Sequence, residues 1–443
     1  MRITAAVVAG LVVAATMLLT RRLAGGRITA VTAGLLAATV GASPFVESFT
    51  LSGELLASLP AVLSLVAFMA YLSRGRARWL LLAGVLTGVA VLIKQSAFDG
   101  GLAAVAFLLW RDRRRGVAPA GALVGAAFLP VAAAAATAVR LDDWLYAVVG
   151  YRFHGDSLVT GSAHARLHQL VNSLPPASKA LGALALLAAI GWRRAPLLGR
   201  IWLGAACVGV LGGGNFHPHY YLQLVPPLAV LAAVGVRTLW YSWARPGLGL
   251  AFAGAAVSLA LALPVAFASP AKQAKEIWPH DPHLVHDGVL ADYVRAHTYV
   301  QQPVLALWAD ADLYYLADRR PAIRFLWARN VAAVPGALGG VRWVLANRRA
   351  ALVLVVQPLR KLDPSGRTAR LLYREYYRVA TVRGVAVYRR RSPRKTKATA
   401  RPASARYRTN GRSAGAASTR TSTSRGVPSG TRTRVPSAVP GGT

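Results

Sequence analysis

The chain has 443 residues, 55% of them hydrophobic and 15% charged, with a formal charge of +36. Long apolar runs with the charge confined between them exclude an ordinary soluble globular protein. The basic excess sits in short loops beside apolar runs and in the C-terminal tail, so no nucleic-acid partner is expected. Cys207 is the single cysteine, which excludes an internal disulfide and a Cys-based zinc site. It lies within an apolar run, where packing is its expected role.

A bilayer core about 30 Å thick takes about 20 apolar residues per helix. Candidate spans follow at roughly 3–20, 28–45, 54–72, 79–94, 97–110, 117–139, 176–192, 201–216, 220–236 and 247–269. The first has the size of a signal peptide, but apolar runs continue behind it, so it reads as a membrane span. Several are short for a full crossing, which predicts that one or two helices are broken or re-entrant. Arginines occupy every second connection: Arg21, Arg22 and Arg27, then Arg74, Arg76 and Arg78, then Arg111 and Arg113 to Arg115. Arg193, Arg194 and Arg200 follow, then Arg237 and Arg245. The other connections carry Glu47 and Glu54, Lys94 and Asp99, Asp142 and Asp143, and His217 and His219. Retention of Arg and Lys in the cytoplasm then places the N-terminus and residue 270 outside. Trp79, Trp110, Trp144, Trp192, Trp202 and Trp240 stand at span ends, where indoles suit the headgroup layer.

Residues 270–391 mix short apolar runs (Val304–Trp308, Leu352–Val356, Val385–Tyr388) with amphipathic stretches at 286–299 and 367–377. None is long enough to span, and the pattern predicts a small extracytoplasmic α/β domain. From Ser392 onward Ser, Thr, Gly, Pro, Ala and Arg dominate without an acid, which predicts a disordered basic tail. The expected architecture is an all-α polytopic membrane domain of about ten helices (1–269), the α/β domain (270–391) and the tail (392–443).

Polar groups at the ends of membrane helices are costly and mark ligands, pathways or partners. Glu54 opens the third span, where dipole compensation with Thr50 or Ser52 as cap competes with a functional role. Lys94 closes the fourth. It is the only lysine in the first 178 residues, on the side that otherwise lacks positive charge, and so suggests an anionic ligand. His217 and His219 flank Pro218; lacking a third ligand, they line an outer cavity with Tyr220 better than they bind a metal. Pro226 and Pro227 are expected to kink the following helix. Arg152, on an outer loop with Arg140, Asp142, Asp143, His154 and Asp156, has the geometry to grip phosphate, although such loop charges are commonly solvated. Asp310 and Asp312 read as helix caps.

The stretch Gly53-Glu54-Leu-Leu, an apolar span, an arginine turn, Gly84-x-x-x-Gly88 and Leu92-Ile-Lys94 resembles the polyprenyl-phosphate-sugar-dependent glycosyltransferases of GT-C fold. These are the enzymes of the protein-mannosyltransferase and aminoarabinose-transferase type. His219-Tyr-Tyr-Leu-x-x-x-Pro-Pro227 and Val304–Pro321 are similar to later segments of that family. The resemblance implies sugar transfer from a polyprenyl-phosphate donor to a glycan, lipid or protein acceptor, in a multi-pass protein of a bacterial plasma membrane. Lys94 and Arg152 would meet the donor phosphate, and Glu54, His217, His219 and Tyr220 would line the substrate cavity. A divalent metal is compatible with such enzymes; no metal ligand and no cofactor is assigned. The family pattern begins with one more helix and an outer loop bearing the catalytic acid, whereas Met1 opens on what resembles the second helix. No catalytic residue is therefore assigned, and the alternatives are a transporter or lipid flippase, or an inactive relative acting as a scaffold.

Overall fold

The computed structural model describes residues 2–47, 50–151, 162–278, 282–307 and 311–392. The membrane region begins with α1 (Arg2–Ala24), α2 (Arg27–Gly41), α3 (Gly53–Arg74), α4 (Ala77–Ile93), α5 (Asp99–Arg111) and α6 (Arg113–Ala136). A short α7 (Leu141–Leu145) continues into a wider turn over Tyr146–Gly150. Then come α8 (Ala163–Gly191), α9 (Leu197–Gly213), a 3-10 turn over Pro218–Leu224, and α10 (Val225–Ala266). Among the described residues, five helical stretches are long and apolar enough to cross a bilayer: Ile3–Ala24, Gly53–Arg74, Arg113–Ala136, Ala163–Gly191 and Pro218–Tyr241. Shorter apolar helices, among them Arg27–Gly41, Ala77–Ile93 and Leu197–Gly212, stand with them.

Local chemistry sets several boundaries. Ser52 caps α3 by accepting from the Leu55 N–H, and Gly75, at φ +67°, ends it in the left-handed region. The expected cap is thus Ser52; the Thr50 hydroxyl donates instead to the Glu47 carbonyl. Gly84 and Gly88 let α4 lie against the Leu123 and Ala127 carbonyls of α6, a place with no room for a Cβ. Gly191 and Gly235 do the same between α8 and α10.

Two expectations need correction, at 176–192 and at Pro226–Pro227, while the spans at 220–236 and 247–269 share one helical run and remain two because that run reverses. The span at 176–192 is the later part of α8, which starts at Ala163 and carries Pro175 and Pro176 within it. The spans at 220–236 and 247–269, apart from their outer ends, fall within one continuous run of helical hydrogen bonding, Val225–Ala266. Its 42 residues would reach about 63 Å if straight. Yet Trp278, shortly past its end, bonds Glu47, the partner of His219 just before its start. The intervening turns cannot cover such a distance, so the run must double back. Finally, Pro226 and Pro227 occupy the first turn of α10, where a missing N–H costs no helix bond, and they begin the helix rather than kink it.

Beyond α10 lie α11 (Pro270–Ile277), α12 (Asp287–His297), β1 (Val304–Leu307), α13 (Asp312–Ala317), α14 (Ala328–Ala333) and α15 (Ala337–Ala346). β2 (Leu352–Val355), α16 (Leu359–Leu362), α17 (Arg367–Glu375), β3 (Tyr376–Val382) and β4 (Val385–Arg390) complete the described chain. The sheet runs β1-β2-β4-β3, parallel between β1 and β2 and antiparallel elsewhere. Strand alternation sends Val304, Ala306, Leu352 and Leu354 toward Leu290, Val294 and Leu313. Leu305, Leu307 and Val353 face Val341, Leu345 and Leu372 on the other side. Covering both faces explains why β1 and β2 are uninterrupted apolar runs. The Asp310–Asp312 capping expectation fails for Asp312, which stands in the first turn of α13 with Ala311 at the cap. An acid there still favours the helix dipole. Asp310 lies outside the described residues.

Candidate functional site

Four short segments from three connections meet at the end of the helices opposite the arginine turns. They are the turn over 43–47, the start of α3, the turn after α4, and the 3-10 turn before α10. Lys94 caps the C-terminus of α4 in an extended conformation, which swings its side chain back across the start of α3. Its Nζ lies 2.6 Å from Glu54 Oε1 and 4.2 Å from the centre of the Tyr220 ring. Glu54 is buried, so the pair is screened little by water and each charge depends on the other. The approach does not depend on Gly53, since a Cβ there would make ordinary contacts, 3.6 Å from the Ile93 carbonyl and 3.8 Å from Lys94 Cδ.

A second acid joins this pair. Glu47 ends the Pro44–Val46 turn at φ +53°, a strained position for a residue with a side chain, and its carboxylate is buried. Glu47 Oε2 is 2.7 Å from His219 Nδ1, and Glu47 Oε1 accepts from Trp278 Nε1 at 2.7 Å. A carboxylate on Nδ1 places the imidazole proton there and leaves Nε2 as the acceptor. That Nε2 lies 3.9 Å from Glu54 Oε2. Stacking at 5.5 Å keeps the His217 ring parallel to His219, and Tyr220 packs edge-on to both.

Beneath the pair lies a narrow cavity lined by Glu54, Ser58, Lys94, Asp99, Trp202 and Gln223, among others. Asp99 is buried; its Oδ2 accepts from Trp202 Nε1 and its Oδ1 from Gln223 Nε2, both at 2.7 Å. Trp202 is therefore a core residue, 1% exposed, and not the headgroup indole expected. Its N–H found a carboxylate to satisfy inside. Trp110, Trp192 and Trp240 are exposed.

The structure thus brings together Glu54, Lys94, His217, His219 and Tyr220, and adds Glu47, Asp99, Gln223 and Trp278. Arg152, with His154 and Asp156, lies outside the described residues. Arg140 pairs with Asp143 at 3.5 Å, both exposed, which fits a solvated loop pair. Cys207 is exposed on α9 rather than packed, as a small apolar side chain on an outward helix face tolerates. Among the described residues no group of three or more His, Cys, Asp or Glu is arranged to hold a metal ion. Glu47 was legible only as one of the acids on the Arg-poor connections, with Glu54, Asp99, Asp142 and Asp143.

Tyr146 donates to the Ala333 carbonyl, Tyr151 to Asn330 Oδ1, and Gln95 to the Val148 carbonyl. These bonds link the residues just after Lys94, the α7 segment and the sheet-bearing region.

A family model described as dolichyl-phosphate-mannose-protein mannosyltransferase matches residues 1–139. That segment holds Glu47, Glu54, Lys94 and Asp99. Among solved structures the chain is similar to ArnT from Cupriavidus metallidurans bound to undecaprenyl phosphate. The TM-score is 0.52 at 16% identity, covering 87% of this chain and 83% of that one. The apo form of the same protein gives a TM-score of 0.51 at 14% identity, with the same coverage. No match is found among curated proteins. The likeness to the ArnT structures shows a shared fold. This chain carries that fold over most of its length and the mannosyltransferase family signature over its first 139 residues.

Proposed function

We propose that this protein transfers a sugar from a polyprenyl-phosphate donor to a hydroxyl of a glycan, lipid or protein acceptor, at the outer face of a bacterial plasma membrane. The observation that carries the reading is the placement of Lys94, a cation fixed by Glu54 and Tyr220 beside the carboxylate–imidazole pair Glu47–His219. In such a transfer the acceptor oxygen bonds to the anomeric carbon as the bond from that carbon to the phosphate oxygen breaks. Charge builds on the departing polyprenyl phosphate, where Lys94, joined by Arg152, stabilises it. His219 Nε2 takes the acceptor proton, with Glu47 holding the tautomer and balancing the imidazolium that forms. Glu54, His217 and Tyr220 shape the cavity. The undecaprenyl phosphate of the ArnT structure supports a donor of this type.

The domain division goes with this reading: 1–269 in the membrane, 270–391 outside it on the Lys94 side, and 392–443 a solvated tail. The arginine turns support the orientation, since Arg and Lys are retained in the cytoplasm. The bonds from Trp278, Tyr146 and Tyr151 support a region beyond residue 270 on the same side as the site.

The test is sugar transfer from polyprenyl-phosphate donors in membranes bearing the wild-type chain or Lys94→Ala. Loss of about a hundredfold or more is expected, the scale set by removing a group that stabilises transition-state charge. Equal activity would remove the role of Lys94. No transfer by the wild-type chain from any such donor would favour a transporter or a scaffold.

A further inference from the structure

A second cavity lies at the other end of the membrane region, among α8, α9 and α10. It is about 660 Å³, within the range of small-molecule sites. Ala185 and Ala189 of α8, Leu203 of α9 and Leu228 of α10 form its apolar walls, and Trp192, Arg193 and Arg194 stand at its mouth. Along α10 the lining runs from Leu228 to Thr238, ten residues or about 15 Å. That is half of a bilayer core about 30 Å thick, the depth of one leaflet.

The mouth is built and unbalanced. The turn after α8 is fixed by the Gly191 carbonyl, which accepts from the N–H groups of Arg194 and Ala195 at 3.0 and 2.9 Å. Three arginines at this end are occupied: Arg22 donates to the Val66 carbonyl, Arg237 to the Ala24 carbonyl, and Arg115 pairs with Asp112; what sets Arg193 and Arg194 apart from the other exposed arginines is the cavity they border. Among the described residues, no protein hydrogen bond or ion pair is made by the side chains of Arg193 and Arg194. Arg200, with its guanidinium 5.9 Å from the Trp192 ring, has a buried Nε that likewise finds no partner among them. Nor does the nearby chain offer a counter-charge: residues 157–275 contain no Asp or Glu.

An apolar groove one leaflet deep, closed by two unpaired guanidiniums and an indole at headgroup level, has the chemistry of an amphiphile with an anionic head. We infer that this cavity binds an anionic phospholipid of the surrounding leaflet, with an acyl chain along Ala185, Ala189 and Leu203 and its phosphate at Arg193 and Arg194. Basic pockets between membrane helices recognise lipid headgroups in this way. The mouth of the cavity lies at the far end of the helices from Lys94, although its lining reaches back to Leu228, and its occupant is neither donor nor acceptor in the proposed reaction.

The test uses the full chain in mixed micelles, measuring retained lipid by native mass spectrometry with phosphatidylglycerol and phosphatidylcholine of matched chains. The wild-type chain should retain phosphatidylglycerol about thirtyfold more, the scale of two arginines facing one anionic head. Arg193→Gln with Arg194→Gln should abolish the preference, and Ala189→Trp should reduce retention of both lipids. Arg114→Gln with Arg115→Gln, at another turn of the same end, should leave the preference intact. A photoactivatable phosphatidylglycerol on the wild-type chain should label peptides covering 185–194 and 228–238. The assignment fails if the wild-type chain shows no preference, if the control pair lowers it equally, or if labelling falls elsewhere. Displacement of the phospholipid by polyprenyl phosphate at equal concentration would overturn the choice of occupant.

Discussion

Gln223 donates one amide nitrogen to both Asp99 Oδ1, at 2.7 Å, and the Ser96 carbonyl, at 2.9 Å. Asp99 opens α5 and Ser96 belongs to the turn that carries Lys94, while Gln223 belongs to the turn that carries His219 and Tyr220. One side chain therefore fastens the two halves of the site, and Trp202 completes the carboxylate from α9. Gln223→Ala should leave Asp99 short of a donor in a buried place, at a cost of about 1–3 kcal/mol. We expect a lower thermal midpoint for the full chain in detergent, together with weaker sugar transfer. An unchanged midpoint would show that the network is redundant.

Lys94 and Glu54 should be coupled more strongly than an exposed pair. Removing either partner alone strands a poorly hydrated charge, which costs about 3–5 kcal/mol when burial is complete. Glu54 is 5% exposed and Lys94 15%, so a somewhat smaller effect is expected. The double variant Lys94→Ala, Glu54→Gln should be more stable than Lys94→Ala alone, although it should remain inactive. Additive losses in unfolding experiments would mean that the 2.6 Å contact contributes no coupling.

Much of this was legible in the sequence, for identifiable reasons. A lone lysine among arginines, on the acidic side of the alternation, pointed to Lys94, and the cluster Asn215–Tyr221 pointed to His219 and Tyr220. Apolar runs marked β1 and β2, because strands buried on both faces need no alternation, and the run Val385–Tyr388 marked β4, whose buried Val385 and Val387 alternate with part-exposed neighbours. Glu47 and Asp99 were passed over as roles because an acid beside a helix end is also what the dipole selects. Only the fold brings His219 and Trp278, 172 and 231 positions away, onto the Glu47 carboxylate. Trp202 misled for a related reason: a tryptophan near a span end suits the headgroup layer, and nothing local announces a buried carboxylate opposite. β3 was hidden because its exposed Tyr377, Arg378 and Val379 break any simple alternation.

Trp278 ties the chain beyond α11 to Glu47 through one hydrogen bond to a carboxylate. Trp278→Phe keeps the ring packing and removes the donor, a change of about 1.5–3 kcal/mol for a bond to a charged group. With one donor gone, Glu47 should hold His219 less firmly. The expected result is a fall in kcat for sugar transfer with little change in KM for the lipid donor, because Lys94 is untouched. A rise in KM alone would place Trp278 in donor binding instead.

The sheet-bearing region should carry an acid-sensitive anchor at Asp363. Burial pushes its carboxyl upward, but Ser365, Thr368 and Arg342 all donate to it, and together they hold it well below its ordinary value of 3.8. A carboxyl depressed in the folded state stabilises it above the unfolded value, and that contribution disappears as pH falls through the folded one. Glu375, held down by hydrogen bonds from Arg348 and Arg374, has the same sign. Asp363→Asn should therefore destabilise the region at neutral pH, by about 1–3 kcal/mol for lost charge-assisted bonds. The gap from the wild-type chain should narrow once the pH drops below about 4, where the unfolded carboxyl protonates. Thermal unfolding of both full chains across pH 7 to 3 checks this. A gap that stays constant down to the lowest pH would mean that Asp363 acts by shape and not by charge.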